Sequence, residues 1–357
     1  MQNIVICIIM IFGLIGCSTG GAMKSPMQQH RGQSNVKGGF YLEKQHEKPK
    51  ANSTNLTVDK EKFINMMVKK HGFNRQQLKN VLQQTNKLDS VIRLMDQQAP
   101  KSSSLNVPNG AWTRYKNKFI TPDNLNAGVD FWKKYEKELN RAYQEYGVPP
   151  EIIVGIIGVE TRWGKVMGKT RIIDALSTLA FYYPRRSQYF ADELEDFLVM
   201  CRDEGVDPFD LSGSFAGAMG YGQFMPSAFR NHAVDFNHDG HKDLWDPVDA
   251  IGSIANYFKA HGWQRDSKVA VVVDGQALEL DTGFHTKYRV QHLAKAGLKP
   301  KSSIDGHKVV SLLRLDTGDS YQFWYGLPNF YVITRYNHST HYAMAVWQLG
   351  LAVKQVK

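Results

Sequence analysis

The sequence predicts an α+β fold that is mainly α, in which a small β unit interrupts a helical chain. Three observations support this fold class. Apolar residues recur with helical spacing over residues 58–266, strand patterns with turn residues fill 267–324, and helical spacing returns over 325–357. The chain has 357 residues, of which 42% are hydrophobic, so it can form a large core and more than one domain.

The N-terminus has the features of a lipoprotein signal peptide. Residues 1–16 carry no charge, are mostly apolar and are too short to span a bilayer comfortably. They end in Leu14-Ile15-Gly16-Cys17, which resembles the lipobox of bacterial lipoproteins, and Ser18 follows. We expect acylation of Cys17 and a lipid anchor in the outer membrane of a Gram-negative bacterium, facing the periplasm. The alternative interpretation is an apolar N-terminal strand or helix.

Residues 17–57 are predicted to form a flexible tether, because Gln, Lys, His, Ser, Asn and Gly dominate and large apolar side chains are few. The whole chain has a net charge of +10, which suits an anionic partner such as nucleic acid, a membrane surface or an acidic polymer. Cys201 is the one thiol expected in the mature chain, and its apolar neighbours favour a buried role over a nucleophilic one.

Two helical domains are predicted, over residues 58–125 and 126–266. In the first, one amphipathic helix ends near Gly72, a second begins near Asn74 and a third near Ser90. One long helix is predicted from Pro122 to Gly147, across the boundary between the two domains, and a helix that is apolar on nearly every face follows from Pro149. Further helices are expected over residues 174–182, 187–202 and 247–261.

The β unit is predicted to contain two hairpins. The first would join VAVVV and ALELD through Asp274-Gly275. The second would join HKVVSLLRLD and SYQFWYG through Thr317-Gly318. Because THYAMAVWQLGLAV is helical again, this unit is expected to be an insertion in the helical core.

Glu160 is the first candidate catalytic residue. It ends the apolar helix and is followed closely by Trp163. A carboxyl group among apolar neighbours loses hydration, so its pKa rises and it can act as the general acid on a glycosidic oxygen. The alternative is a helix-end glutamate that is solvated or bonded to Arg162.

Two further motifs favour binding. The dense glycines and alanines around Ser214 and Gln223 permit close approach of a polymer ligand, and the Gln223 amide can both donate and accept; a tight turn is the alternative. Tyrosines and an asparagine with aromatic faces and polar tips suit sugar rings, although each could instead pack in the core: Tyr115, Tyr257, Tyr336, Asn337 and Tyr342.

Within the loop 235–249, residues 235–241 match the first half of an EF-hand loop. Oxygen-bearing side chains stand at Asp235, Asn237 and Asp239, and a glycine follows them. Pro247 makes Asp246 the expected helix N-cap, so Asp249 becomes the first-turn carboxylate, with a carbonyl ligand from His241. The alternative is an Asx-rich turn without metal.

Four motifs in this order resemble the membrane-bound lytic murein transglycosylase B family, the family 3 lytic transglycosylases. They are ETRWG, GAMGYGQFMPS, DFNHDGHKDLWDPVDAIGSIANYF and LPNFYVITRYNHSTHYAMAVWQLG. The resemblance covers about residues 58–352. It implies a lysozyme-like catalytic core, with a helical domain before it and a small β domain inserted within it.

By this resemblance Glu160 is the acid/base residue of the family. The residues implied to contact the glycan are Tyr115, Ser214, Gln223, Tyr257, Tyr336, Asn337 and Tyr342. The residues implied to bind calcium, as a structural ion without any organic cofactor, are Asp235, Asn237, Asp239, His241 and Asp249.

The resemblance also implies a reaction, cleavage of the β-1,4 bond between N-acetylmuramic acid and N-acetylglucosamine in peptidoglycan. Glu160 protonates the leaving oxygen and then takes the proton of the muramyl C6 hydroxyl, which attacks C1 and leaves a 1,6-anhydromuramyl end. The partners would be glycan strands and the membrane rather than nucleic acid. The sequence leaves the oligomeric state open, and a tethered monomer is the default expectation.

Three alternatives stay open at this point. A lysozyme-type hydrolase would use the same glutamate with water in place of the C6 hydroxyl. A non-catalytic peptidoglycan-binding lipoprotein would keep the cleft without the chemistry. A calcium-regulated binding protein would centre on the loop 235–249.

Overall fold

A computed structural model describes residues 56–97, 108–277 and 279–357. The predicted signal peptide, the lipidation site Cys17 and the predicted tether up to residue 55 lie outside these residues. Within the described part, no helix combines the length and the apolar character needed to cross a membrane.

Helices make up most of the described chain, which confirms the prediction of a mainly α fold with a small sheet. The α-helices are α1 (Lys60–His71), α2 (Arg75–Gln83), α3 (Asp89–Gln97), α4 (Ala111–Lys116), α5 (Pro122–Lys134), α6 (Glu136–Tyr146), α7 (Pro150–Thr161), α8 (Ile172–Tyr182), α9 (Ser187–Glu204), α10 (Pro226–His232), α11 (Pro247–Ala260), α12 (Val290–Lys295), α13 (Pro328–Tyr336) and α14 (Thr340–Val356). A 3-10 helix covers Pro184–Arg186.

The strands form two antiparallel sheets. The strands are β1 (Thr170–Arg171), β2 (Ser212–Gly213), β3 (Ala270–Asp274), β4 (Tyr288–Arg289), β5 (Lys299–Pro300), β6 (Val309–Asp316) and β7 (Tyr321–Gly326). β1 pairs with β2, and the larger sheet has the order β4-β6-β7-β3-β5. In its centre Trp324 of β7 lies opposite Leu313 of β6 and Val272 of β3. A separate apolar core, which includes Leu312 and Tyr325, supports this sheet.

Helix α7 is the centre of the large core. Residues 152–159 are all buried, which explains why this segment is apolar on every face. Glycines let α14 approach α7 closely: a Cβ on Gly155 would lie 2.2 Å from the Val346 carbonyl oxygen, and one on Gly350 would lie 1.8 Å from that of Glu151. These contacts set α14 antiparallel to α7, so the C-terminal end of α7 meets the N-terminal end of α14.

Local signals set the helix ends, and the end near Gly72 and the start at Asp246-Pro247 are as predicted. Asp59 caps α1 by accepting from Lys62 N, and Gly72 ends that helix in the left-handed conformation. Asp246 accepts from Val248 N and Asp249 N at the start of α11, with Pro247 as its first residue. Cys201 is buried, and burial raises the pKa of its thiol to about 12, as expected for a structural cysteine.

Three predictions of local structure are wrong. The long helix expected from Pro122 to Gly147 is two helices, because Tyr135 leaves the helical conformation with ψ of 27°. Helix α8 begins at Ile172 and not at residue 174, and Asp174 lies in its first turn, where its carboxylate accepts from Asn86 N and Arg171 Nε. No strand occurs over the described residues of 275–287, so the Asp274-Gly275 hairpin does not form, and β3 pairs with β5 and β7 instead.

Candidate active site

Glu160 lies in the last turn of α7, where the chain reverses sharply. Arg162 and Trp163 both take positive φ values, of 50° and 55°, directly after the helix. The Thr161 hydroxyl oxygen accepts from Gly164 N at 3.1 Å and lies 3.1 Å from the Tyr221 carbonyl oxygen. The ETRWG motif therefore builds a helix end that holds Glu160 at a fixed place.

The Glu160 carboxyl group is partly buried at the end of α7. Its Oε1 accepts a hydrogen bond from the Tyr342 hydroxyl at 2.5 Å. Burial raises the pKa of Glu160 to about 7, although the bond from Tyr342 favours the charged form and opposes part of that rise. At neutral pH both the acid and the carboxylate are therefore populated, as a group that first gives and then takes a proton requires.

Tyrosines from α11, α13 and α14 gather beside this carboxyl group. The rings of Tyr336 and Tyr342 stack with centroids 6.4 Å apart, and the rings of Tyr257 and Tyr336 meet edge to face at 5.0 Å. The Tyr336 hydroxyl donates to the Gly222 carbonyl oxygen at 2.5 Å, and the Tyr257 hydroxyl to that of Arg335 at 2.8 Å. Residues far apart in sequence thus form one aromatic wall.

Tyr115 joins this group from the short helix α4. Its ring centroid lies 5.7 Å from that of His341, the residue before Tyr342. Burial raises the pKa of Tyr115, and the charge of Glu160 raises it further. The same two causes raise the pKa of Tyr342 and of Tyr336, so these phenols stay protonated at neutral pH.

The Gln223 amide is oriented by the backbone. Gln223 has a φ of 52°, and its Nε2 donates to the carbonyl oxygens of Gly220 at 2.9 Å and Met167 at 3.2 Å. Both of its N–H groups are thereby used, so a ligand would meet only its acceptor oxygen. The expectation of an amide that both donates and accepts is therefore corrected.

Ser214 offers a hydrogen-bond donor to a ligand, and Asn337 offers an acceptor. The buried Ser214 hydroxyl oxygen accepts from Ala218 N at 3.0 Å and Ala216 N at 3.3 Å, which leaves its proton to be donated. The Oδ1 atom of Asn337 is buried and has no hydrogen-bond partner among the described residues. Unsatisfied buried acceptors are rare in folded proteins, so this oxygen is a candidate ligand contact.

The loop 235–249 is closed by its own carboxylates. Asp235 accepts from Asp239 N at 3.1 Å and Gly240 N at 2.9 Å. The Asn237 side chain accepts from Asp239 N and donates to the Asp239 carboxylate, both at 3.0 Å. Asp239 in turn accepts from the backbone N of His241, a residue whose carbonyl was the expected ligand.

Asp249 ties this loop to α11. It is fully buried and accepts from Phe236 N at 2.7 Å, Asp243 N at 2.9 Å and Asn237 N at 3.0 Å. In the described part of the chain, no three Asp, Glu, His or Cys side chains converge as a metal site. The donors are nevertheless all oxygens, the ligand type that Ca²⁺ requires, so the chemistry of the loop fits this ion.

Sequence reasoning missed two side chains that contact residues of the predicted site and its motifs. His341 contacts the rings of both Trp112 and Tyr115. Glu193 of α9 is buried and accepts from Ser227 N at 2.9 Å and Ser227 Oγ at 2.7 Å, which anchors the end of the GAMGYGQFMPS motif. A charged residue on the apolar face of a helix was the available signal for Glu193.

A mainly helical fold with one carboxyl group of raised pKa beside a wall of tyrosines defines a lysozyme-like class of glycan-cleaving protein. The sequence profile of the transglycosylase SLT domain matches residues 56–351. This chain belongs to that family.

Relatives support the same assignment. The membrane-bound lytic murein transglycosylase B of Escherichia coli (strain K12) is 64% identical over 323 residues, which are 88% of each chain. The structure of the E. coli lytic transglycosylase SLT35 in complex with calcium matches with a TM-score of 0.79 and 66% identity, over 83% of this chain and 92% of that one.

A more distant structure was solved with a peptidoglycan fragment. SltB3 from Pseudomonas aeruginosa in complex with NAG-anhNAM-pentapeptide matches with a TM-score of 0.71 and 27% identity. The match covers 82% of this chain and 77% of that one.

Proposed function

We propose that this chain is a lytic murein transglycosylase that cleaves the β-1,4 bond between N-acetylmuramic acid and N-acetylglucosamine without adding water. The Glu160 carboxyl group carries this proposal, because burial raises its pKa to about 7 and Tyr342 holds it by one hydrogen bond. One residue of this kind can serve as acid in the first step and as base in the second.

In the first step the Glu160 carboxylic acid gives its proton to the glycosidic oxygen, and the bond from this oxygen to C1 breaks. Positive charge then develops at C1, where the substrate N-acetyl group can stabilise it. In the second step the muramyl C6 hydroxyl attacks C1 and its proton passes to the Glu160 carboxylate. The acid is regenerated and a 1,6-anhydromuramyl end is formed.

Tyr342 acts between these two steps, when Glu160 is a carboxylate. Its hydroxyl proton points to Glu160 Oε1, so the hydrogen bond strengthens when Glu160 becomes a carboxylate. The raised pKa of Tyr342 keeps this phenol a donor throughout. We therefore assign Tyr342 to stabilising the carboxylate rather than to proton transfer.

The other polar groups of the cleft would bind the glycan. The acceptor oxygens of Gln223 and Asn337 suit amide N–H and hydroxyl groups of the sugars, and the Ser214 hydroxyl suits an acetyl oxygen. The rings of Tyr115, Tyr257 and Tyr336 supply apolar faces for sugar rings. The anhydromuramyl fragment bound by SltB3 from P. aeruginosa supports this product class.

Calcium would be a structural ion of the loop 235–249. The E. coli relative SLT35 was solved in complex with calcium, and the oxygen donors of this chain suit the same ion. The ligands we propose are Asp235, Asn237, Asp239, the His241 carbonyl and Asp249. We propose no organic cofactor, because the reaction needs one proton-transferring group and the substrate's own hydroxyl.

The enzyme would act at a membrane. The E. coli relative is named membrane-bound, and the Cys17 motif of this chain suits a lipid anchor. We propose that the mature protein is a monomer held by this anchor at the outer membrane, facing the periplasm. Glycan strands of peptidoglycan would be its substrate there.

Replacement of Glu160 by Gln tests the catalytic role. We expect E160Q to fold and to bind murein sacculi, while its rate of soluble product release falls at least about a thousandfold. E151Q is the matched control, because Glu151 lies in the first turn of the same helix and pairs with Lys354. Product release by E160Q at the rate of E151Q would refute the assignment.

A further inference from the structure

The hairpin of the β unit holds the helix that carries Tyr115. At the tip of the β6–β7 hairpin, Asp316 Oδ1 accepts from Gly110 N at 2.7 Å and Asp316 Oδ2 accepts from Asn109 N at 2.8 Å. Next to this pair, the Thr113 hydroxyl donates to the Thr317 carbonyl oxygen at 3.1 Å. Three hydrogen bonds thus join the start of α4 to residues more than 200 positions later in the chain.

The two backbones also come close together. Gly110 has a φ of 74°, and a Cβ atom there would lie 3.5 Å from the Gly318 Cα atom. Asp316 also accepts from Gly318 N at 3.0 Å, which folds the hairpin tip around its carboxylate. Burial opposes the charge of Asp316, but the N–H groups of Asn109, Gly110 and Gly318 hold its pKa below the usual value. The anchor is therefore a charged carboxylate at neutral pH.

The side chains of α4 contact the catalytic region. Trp112 is buried, with its ring centroid 5.6 Å from that of His341, and Tyr115 lies 5.7 Å from the same ring. His341 directly precedes Tyr342, the donor to Glu160. Helix α4 is therefore packed between the hairpin tip and the N-terminal turn of α14.

A six-residue helix is too short to hold its own position in water. Its place must come from its neighbours, and Asp316 accepts charge-assisted hydrogen bonds from the N–H groups of Asn109 and Gly110, the two residues directly before the helix. Without Asp316 these bonds are lost, while the contacts of Trp112 and Tyr115 with His341 stay available. Helix α4 would then keep its contacts with His341 available but lose its fixed orientation.

We propose that Asp316 is a positioning residue for substrate binding, which acts by holding α4 so that Tyr115 forms one wall of the glycan cleft. The β unit thereby contributes to the cleft through the hairpin tip. This inference rests on the proposed function for the identity of the ligand, an uncut murein glycan strand. It assigns no proton transfer to Asp316.

The first test measures binding without turnover. In the E160Q background, D316A should raise the Kd for purified murein glycan strands about tenfold, equivalent to about 1.4 kcal/mol. D316N keeps one acceptor oxygen and should give an intermediate Kd. The matched control is D319A, because Asp319 is exposed on the same hairpin, and its Kd should be that of E160Q alone. Equal Kd values for D316A and D319A would overturn the proposal.

The second test asks whether Asp316 acts through Tyr115. In a double-mutant cycle, D316A should raise Kd about tenfold when Tyr115 is present and less than about twofold in Y115A. Additive effects of the two substitutions would contradict action through α4. Hydrogen exchange gives an independent readout, in which amides 109–116 should exchange faster in D316A while those of α7 are unchanged.

Turnover separates this inference from the proposed function. In the protein with native Glu160, D316A should raise KM about tenfold and leave kcat within about twofold, because Glu160 and Tyr342 are both unchanged. If the native chain does not cleave murein, the proposed function fails, and the Kd and exchange measurements still decide the role of Asp316. If it cleaves murein and D316A has an unchanged KM, only the role of Asp316 fails.

Discussion

At the scale of single residues, the proposed mechanism depends on the free-energy cost of ionising the Glu160 carboxyl group. Its pKa is about 7 in the folded protein against 4.5 for an ordinary glutamate, because burial removes water from the carboxylate. This difference means that the folded state binds the proton more tightly than the unfolded chain does. Protonated Glu160 makes its whole contribution to the free energy of unfolding below pH 4.5, and this contribution is lost as the pH rises to about 7.

Replacement of Glu160 by the neutral Gln should remove this pH dependence. Above pH 7 we expect E160Q to be more stable than the native chain by up to about 3 kcal/mol, and below pH 4.5 the two should be equally stable. Urea unfolding at a series of pH values measures this difference. E145Q is the control, since Glu145 is exposed and should give less than about 0.5 kcal/mol at any pH. A constant difference between E160Q and the native chain would contradict the buried acid.

Tyr342 lowers the pKa of Glu160 by donating to its carboxylate. In Y342F that support is lost, so the pKa of Glu160 should rise and the alkaline fall of kcat/KM should move to higher pH. The maximal rate should decrease about tenfold to a hundredfold, because the carboxylate formed between the two steps loses its donor. The pH profile of Y331F, in which the altered tyrosine is exposed on α13, should be that of the native chain. An unmoved alkaline limb in Y342F would be evidence against this role.

The types of residue in the site could be predicted from the sequence, but the orientations and hydrogen-bond partners of their side chains could not. Glu160 was identified because a charged side chain ends an entirely apolar helix. The orientation of the Gln223 amide was not predictable, since it depends on the carbonyl oxygens of Met167 and Gly220, one of them 56 positions away. Asp316 was read only as part of a hairpin, because its partners Asn109 and Gly110 are brought to it by the fold.

At the scale of elements, the contact of α7 with α14 sets the distance from Glu160 to Tyr342. G155A would place a methyl group 2.2 Å from the Val346 carbonyl oxygen, so the two helices must separate. We expect a loss of about 2–3 kcal/mol of unfolding free energy, with kcat lowered as Tyr342 moves from Glu160. Urea unfolding and kcat are the measurements. G306A is the control, because its nearest side-chain atom would lie at an ordinary 3.6 Å. A G155A protein with native stability would contradict this packing.

The loop 235–249 should respond to calcium as a structural element. Calcium at a hundred times its Kd should raise the unfolding free energy by about 2.7 kcal/mol, because it binds only the folded loop. D249N loses one acceptor for the three backbone N–H groups that Asp249 now serves, and its stability should no longer depend on calcium. D243N is the control within the loop, since Asp243 caps Trp245 N and is no proposed ligand. A native chain whose melting temperature ignores calcium would favour an Asx-rich turn without metal.

The helices were more predictable than the strands for a physical reason. Caps such as Asp59, Gly72 and Asp246 act within one turn, so the sequence displays them directly. The partners of β3 are β5 and β7, which are distant in sequence, and the local Asp274-Gly275 turn signal predicted the wrong pairing. Tyr135 interrupts its helix without any glycine or proline, so the break between α5 and α6 had no signal.

At the scale of the whole molecule, the described chain places one acid and a wall of tyrosines where the end of α7 meets α13 and α14. Membership of the transglycosylase SLT domain family agrees with this arrangement over residues 56–351. The division at residues 125/126 and 266/267 stays a prediction, because Thr57–Lys357 belong to one compact unit. The hydrogen bonds from Asn109 N and Gly110 N to Asp316 cross both predicted boundaries.

The central claim is that the muramyl C6 hydroxyl, and not water, attacks C1. The most direct measurement is mass spectrometry of the soluble products after the protein digests purified murein sacculi in water enriched in heavy oxygen. We expect muropeptides one water lighter than their reducing counterparts, without heavy oxygen, and none in E160Q. Reducing ends that carry heavy oxygen would contradict the account and make the protein a hydrolase, and bound but uncut murein would make it a binding protein.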